Sequence, residues 1–248
     1  MGMVESWVMP GKFRGELTAP ATALFQRFAE DCKPGEMRER GIQELLQLTG
    51  LTEWRSLEGA MSALSEVSVT LFAAPEGWVC AGSSLLDWSV SGDLVRWRIT
   101  PHVHAAFTGK DTPTLETLLP FVRSKGRTAT RSLRLYCFLH RAAVSGGRLE
   151  LPAAMALQTL ELDGVTPADA RRYGTDRALR DVAALAPHLT MPRVEFVRDW
   201  MIPGGPLAKL AFTATLRESK QKPDISPLRS FIDPSMTLVV AADPCCAP

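Results

Sequence analysis

Tyr173, Arg177 and Arg180 stand four and three residues apart, the spacing that puts side chains on one side of an α-helix. Two guanidiniums and a phenol on one face donate hydrogen bonds to phosphate oxygens and base edges. Arginine in particular can bond both major-groove acceptors of guanine. Arg172 and Thr175, in the same stretch, add a further cation and a hydroxyl to this candidate DNA-binding set. Such a face is also what an ordinary solvated helix shows, so its neighbours have to decide.

A second cluster, His102-Val103-His104, points to different chemistry. On a strand both imidazoles would share a face and could hold a divalent metal. With a tyrosine (the chain has Tyr136 and Tyr173) that is the equipment of a rolling-circle type, metal-dependent DNA nickase. Against it, Pro101 precedes the pair, Ala105-Ala106-Phe107 follows, no third ligand stands near, and both tyrosines have other places. A loop or helix start is the simpler reading. No metal, cofactor or catalytic residue is expected. There is no G-x-x-x-x-G-K and no G-x-S-x-G, so neither ATP-driven work nor serine hydrolysis is indicated. Trp54, Trp78, Trp88 and Trp97 read as core or hairpin packing, with a stacking platform for single-stranded DNA as the alternative. His140 reads as a core-edge histidine.

The Tyr–Arg–Arg face needs a helix to carry it, and Pro167–Pro187 supplies one. Asp163-Gly164-Val165 is a turn, Thr166 suits the N-cap, and Pro167 suits the first helical position. Ala168, Thr175, Leu179, Val182 and Ala186 fall on the opposite, packing side. Before it come a helix over Thr128–Ala143, a short strand at Arg148–Leu151 and a helix over Pro152–Leu160. Leu133, Tyr136, Cys137 and His140 face the core of the first of these, with Arg131, Arg134 and Arg141 on its surface. After it, Arg193–Ile202 and Leu207–Arg217 alternate as strands around a tip at Pro203–Pro206. Helix, strand, helix, turn, helix, hairpin is the pattern of a winged helix.

The first half gives the same layout less clearly. Helices are expected over Ala21–Asp31, Glu36–Thr49 and Thr52–Val67, the second ending at Gly50. Strands are expected at Val67–Ala73, Trp78–Ala81, Leu85–Val90 and Leu94–Thr100. The fold class is therefore α+β with two tandem winged-helix domains: a flexible arm (1–20), a first domain (21–119), a second (120–217) and a Pro-rich tail (218–248). Pro113–Arg127 reads as the connection.

Net charge is +1 over 248 residues, but the halves differ. Residues 1–119 hold 10 Lys/Arg against 15 Asp/Glu, and residues 120–248 hold 18 against 12. A positive field on one half is the signature of a polyanionic partner. Five scattered cysteines with no C-x-x-C suit neither a disulfide framework nor a zinc site. No secretory leader or membrane span is read, so a cytoplasmic location without membrane contact is expected.

Ser124–Arg217 resembles the plasmid replication-initiator (Rep) family with tandem winged helices. The residues that carry the resemblance are SLRLYCFL (Ser132–Leu139), similar to that family's S-x-R-L-Y-x-x-L helix; LELPAAMAL (Leu149–Leu157); Tyr173–Val182, similar to its recognition helix; and the hairpin Glu195–Leu216. Residues 1–119 match only in layout. The resemblance implies sequence-specific binding of double-stranded DNA at repeated origin sequences (iterons) to initiate plasmid replication, and autorepression as a transcription repressor. It also implies a homodimer joined largely through the first domain, and contact with host replication proteins. Arg177 and Arg180, aided by Tyr173, would read the major groove; Arg131, Arg134 and Lys209 would contact phosphates. Glu53–Gly59 (EWRSLEG) on the first domain's corresponding helix is a poor phosphate-facing surface, which fits packing or dimerisation better. A winged-helix transcription regulator acting on other promoters shares the structural elements.

Overall fold

One order of elements runs twice along the chain in the computed structural model, which describes residues 7–74, 77–109, 111–124, 128–198 and 206–217. Strand β1 (Trp7–Arg14) leads into helix α1 (Ala19–Asp31), strand β2 (Arg38–Gly41), helices α2 (Ile42–Thr49) and α3 (Trp54–Glu66), and strands β3 (Ser68–Ala74), β4 (Gly77–Ser84), β5 (Asp87–Ser91) and β6 (Leu94–Arg98). Helices α4 (Pro101–Thr108) and α5 (Leu115–Arg123) follow. The second pass is α6 (Ala129–Val144), β7 (Arg148–Pro152), α7 (Ala153–Thr159), α8 (Pro167–Asp169), a π-helical turn (Ala170–Thr175), α9 (Asp176–Leu185), β8 (Leu189–Arg198) and β9 (Leu207–Leu216). The fold is α+β.

Each pass closes an antiparallel three-stranded sheet with its last strand in the middle, β2-β6-β5 and β7-β9-β8. The first pass carries an insertion: β3 and β4 form a further sheet with β1, in the order β1-β3-β4. Residues 199–205, which include most of the expected hairpin tip, and the tail expected over 218–248 lie outside the described residues.

Local signals set most boundaries. The Thr18 hydroxyl accepts from the Ala21 N–H at 3.3 Å and caps α1, which has Pro20 in its first turn. α2 ends at Gly50 in the left-handed conformation (φ 69°), which glycine adopts without steric cost.

Two expectations for the first half are corrected by non-local pairing. The arm expected over residues 1–20 is ordered from Trp7: β1 pairs along β3 from Trp7↔Ala74 to Arg14↔Ser68. Trp7, Met9 and Leu17 are buried. Pro10 is tolerated because the register shifts between Pro10 and Lys12, a bulge that leaves Gly11 outside the ladder. The helix expected from Glu36 begins only at Ile42. Arg38–Gly41 pairs with Leu94–Trp97 instead, and Arg40 is held to Asp31 at 2.7 Å and to Glu44.

Helix α6 is the element on which the two passes meet. Every residue from Ser132 to Leu139 is buried, so the stripe expected on one face extends all round. Trp7 of β1 packs edge-on against Phe138 with centroids 6.0 Å apart. Phe121 of α5 stacks on Tyr136 at 4.7 Å, and Phe212 of β9 lies 4.8 Å from Phe138. Withdrawing a large apolar side chain from water is worth about 1.5–3 kcal/mol. The apolar members of this run therefore outweigh the cost of several kcal/mol for the one guanidinium among them. The boundary expected between residues 119 and 120 falls inside α5, which packs on both α1 and α6.

The helix expected as one piece over Pro167–Pro187 contains the π-helical turn. The Thr166 hydroxyl accepts from the Asp169 N–H at 3.2 Å, as its N-cap role requires. The wide turn puts Ala170, Gly174 and Thr175 inward, followed by Ala178, Val182 and Ala186, while Ala168 is exposed. A π turn shifts the helical phase, which is why Ala168 left the packing side. Gly174 permits this approach: a Cβ there would lie 2.6 Å from Leu162 Cδ2. Gly174→Ala forces the buried Leu162 aside and should cost about 1–3 kcal/mol in urea unfolding; an unchanged midpoint would show that Leu162 yields freely.

Candidate nucleic-acid interface

Arg172, Tyr173, Arg177, Arg180 and Asp181 line one open cleft on the α8–α9 segment. Tyr173 is 59% exposed, and the Arg172 guanidinium lies 5.2 Å from its ring centroid. Arg171, Arg172, Arg177 and Arg180 are all exposed, and among the described residues none of them forms an ion pair. Several arginines elsewhere are answered by carboxylates. Arg98 meets Asp87 at 2.9 Å, Arg96 meets Glu39, and Arg148 meets Glu150 at 3.0 Å and Glu195 at 3.4 Å. Unpaired guanidiniums keep their field and their donors for an incoming anion.

Asp181, in the same cleft, forms no ion pair with these arginines among the described residues. Its carboxylate accepts from the Thr128 hydroxyl at 2.7 Å and the Ser132 hydroxyl at 2.8 Å, at the N-terminus of α6. The charge suits that end of the helix dipole and fastens α9 to α6. Arg171, which opens the π turn, was not among the residues singled out from sequence; the Arg171-Arg172 doublet was the available signal.

Four other residues assigned to DNA are engaged elsewhere. Arg134, expected on the surface as a phosphate contact, is 2% exposed. Its Nε donates to the Gly11 carbonyl at 2.8 Å and its Nη1 to the Thr159 carbonyl at 2.6 Å, and the Glu161 carboxylate lies 3.1 Å away. Burial lowers its pKa, against the pull of Glu161. Thr175 is 1% exposed, and its hydroxyl donates to the Arg171 carbonyl, so its side chain is withdrawn from any DNA. Arg131 is half-buried, donating from Nε to the Leu160 carbonyl at 2.8 Å and from Nη2 to the Glu161 carbonyl at 3.2 Å. Lys209 is exposed but meets Glu150 at 3.2 Å; hydrogen bonds from Lys209 and then Arg148 hold that carboxyl below the usual range.

The strand that would align His102 and His104 does not form. Pro101–Thr108 is a helix, in which residues two apart point about 200° from each other. His104 Nε2 lies 3.1 Å from the carbonyl oxygens of Ala29 and Cys32, and Nδ1 lies 2.8 Å from the Thr108 hydroxyl, so this ring caps the end of α1. Trp97 is buried and stacks on Phe28 at 4.8 Å, and Trp54 meets Trp88 edge-on at 6.4 Å. On α3, the counterpart of α9 in the first pass, and at its N-cap Glu53, the exposed charges are Glu53, Arg55, Glu58 and Glu66.

No protein-family model matches the chain, and no curated protein matches it. Among solved structures, domains 2 and 3 of RctB overlap 86% of this chain and 91% of that chain, at 12% identity and a TM-score of 0.28. An overlap that loose carries no weight for fold or function. No described helix is long and apolar enough to cross a membrane.

On α6, the Tyr136 hydroxyl lies 3.0 Å from Nε2 of His188, in the turn between α9 and β8, and the His140 ring lies 5.8 Å from Tyr136. Burial pushes the Tyr136 phenol up to about 12. Burial, and then the neighbouring His188, pushes the His140 imidazole down to about 4, against the pull of Asp111. Burial also lowers His188. A histidine depressed in the folded state contributes stability that is present above its unfolded pKa of about 6.5. That stability is lost as pH falls toward the folded value. Unfolding free energy should therefore decline between pH 6.5 and about 4, by less than about 1.4 kcal/mol per pH unit after solvent screening. His140→Gln should flatten this limb in pH-dependent urea titrations; an equally steep limb would assign it to other groups.

Proposed function

We propose that this protein binds double-stranded DNA with sequence selectivity through the α8–α9 segment and acts as a replication initiator. The observation that carries the reading is the open cleft that Arg172, Arg177 and Arg180 line around an exposed Tyr173, with Asp181 in the same cleft and none of the three guanidiniums in an ion pair among the described residues. The layout supports it. Helix, strand, helix, helix, strand, strand with a β7-β9-β8 sheet is what a winged helix requires, and a helix of this kind fits a major groove about 12 Å wide. In this reading the first pass is a second winged helix whose acidic α3 serves packing or dimerisation.

The finer assignments rest on the resemblance of Ser132–Leu139 and the segments after it to Rep initiators. They are iteron binding at a plasmid origin, autorepression as a dimer, recruitment of host replication proteins, and action without strand cleavage in the cytoplasm.

The test is salt-dependent binding to duplexes that include direct repeats from the protein's own replicon, with magnesium or manganese present and nicking scored. Selective binding without nicking is expected. Arg177→Ala or Arg180→Ala should cost about 1–3 kcal/mol on the preferred duplex and relax selectivity at one position, whereas Arg171→Ala should lower the salt slope by about one. Equal affinity for all duplexes, or tyrosine-linked cleavage, would overturn the reading.

A further inference from the structure

Helix α7 ends in an unusual way. The Leu162 N–H donates to the Leu157 carbonyl at 2.8 Å and the Glu161 N–H to the Gln158 carbonyl at 3.0 Å, the pair of bonds that closes a helix with a left-handed residue. That residue is normally glycine. Here it is Glu161, with φ 55°. A side chain held there is strained, and such strain persists where the surroundings over-determine it.

The surroundings are two arginines one turn apart on α6. Arg131 and Arg134 donate to three successive carbonyls, those of Thr159, Leu160 and Glu161, which the end of a helix leaves without partners. Arg134 also faces the Glu161 carboxylate at 3.1 Å. The next residue, Leu162, is the one against which Gly174 of the π turn packs. On its other side Arg134 reaches the Gly11 carbonyl, which the β1 bulge frees from the ladder. A continuous line of contacts thus runs from β1 through Arg134, Glu161 and Leu162 to the turn that bears Tyr173.

We infer that Arg131, Arg134 and Glu161 are positioning residues: they fix the turn between α7 and α8, and through it the DNA-facing side chains, and Arg134 ties that setting to strand β1. The inference rests on the DNA-binding reading for its consequence, though not for the joint itself. None of the three side chains needs to touch a phosphate. Loss of the joint should therefore change which duplex is preferred without changing the number of counterions released.

The experiment uses the full chain with Glu161→Asn, Arg131→Gln and Arg134→Lys. Asparagine tolerates the left-handed conformation, so Glu161→Asn keeps the turn and removes only the carboxylate. Lysine keeps the charge of Arg134 but lacks the fork that spans several acceptors. Each variant should lose about ten-fold in the ratio of selective to non-selective affinity at an unchanged salt slope, the scale of one misplaced base contact. Amides of residues 162–175 should exchange hydrogen faster in Glu161→Asn than in the parent. The ratio discounts any inactive fraction, so a purely structural loss leaves it unmoved. A retained ratio in folded Glu161→Asn, or a slope lower by about one in Arg131→Gln, would overturn the inference. Should the parent show no selectivity, the DNA reading fails by itself. Hydrogen exchange then decides the joint: faster exchange sustains it and unchanged exchange overturns it.

Discussion

A guanidinium withdrawn from water must be satisfied from every side, and Arg134 imposes that demand at the centre of this fold. Its acceptors come from places far apart in sequence: Gly11 in β1, Thr159 at the end of α7, and the Glu161 side chain. Moving any one of them leaves a buried cation short of a partner. The apolar residues around it on α6 supply the driving force for burial, and the arginine supplies the geometry. Aromatic contacts to Trp7, Phe121 and Phe212 then close around the same helix.

The charge of the molecule divides by role. In the sheets, Arg96, Arg98, Arg148 and Lys209 pair with carboxylates. On α6, Arg131 and Arg134 serve backbone carbonyls. Only along the α8–α9 segment do several arginines crowd together without ion pairs among the described residues. Asp169, Asp176 and Asp181 are interleaved with them, so the segment keeps its guanidinium donors free of ion pairs rather than carrying a large excess of charge. A count of Lys and Arg by halves detects the surplus but cannot tell which cations are already spoken for.

Much of the second pass was legible in sequence because its signals are local. Thr166, Pro167 and the alternating strands marked boundaries the structure keeps to within a few residues. Tyr173, Arg177 and Arg180 are brought to one cleft as their spacing required. What escaped depends on partners that a linear reading does not contain. Arg134 looked like a surface cation because periodicity says which residues share a face, not how many faces are covered. β1 looked like an arm because Pro10 and Gly11 argue against a strand until a bulge accommodates them. Arg38–Gly41 looked helical until β6 was there to pair with it. The π turn brings Gly174 against Leu162, twelve positions earlier, a contact no helical period announces.

The bond between Arg134 and Gly11 spans 123 positions. A chain that emerges from the ribosome amino-end first therefore exposes β1 long before α6 exists to receive it. Sequence separation of this kind slows folding, and apolar surface left waiting is a hazard for association. Trp7 and Met9 are that surface here, and β3 can pair with their strand but cannot cover the side turned toward Phe138. Covering of that face of the β1-β3-β4 sheet is thus a late event in biosynthesis, timed by the arrival of a helix from the other half of the chain.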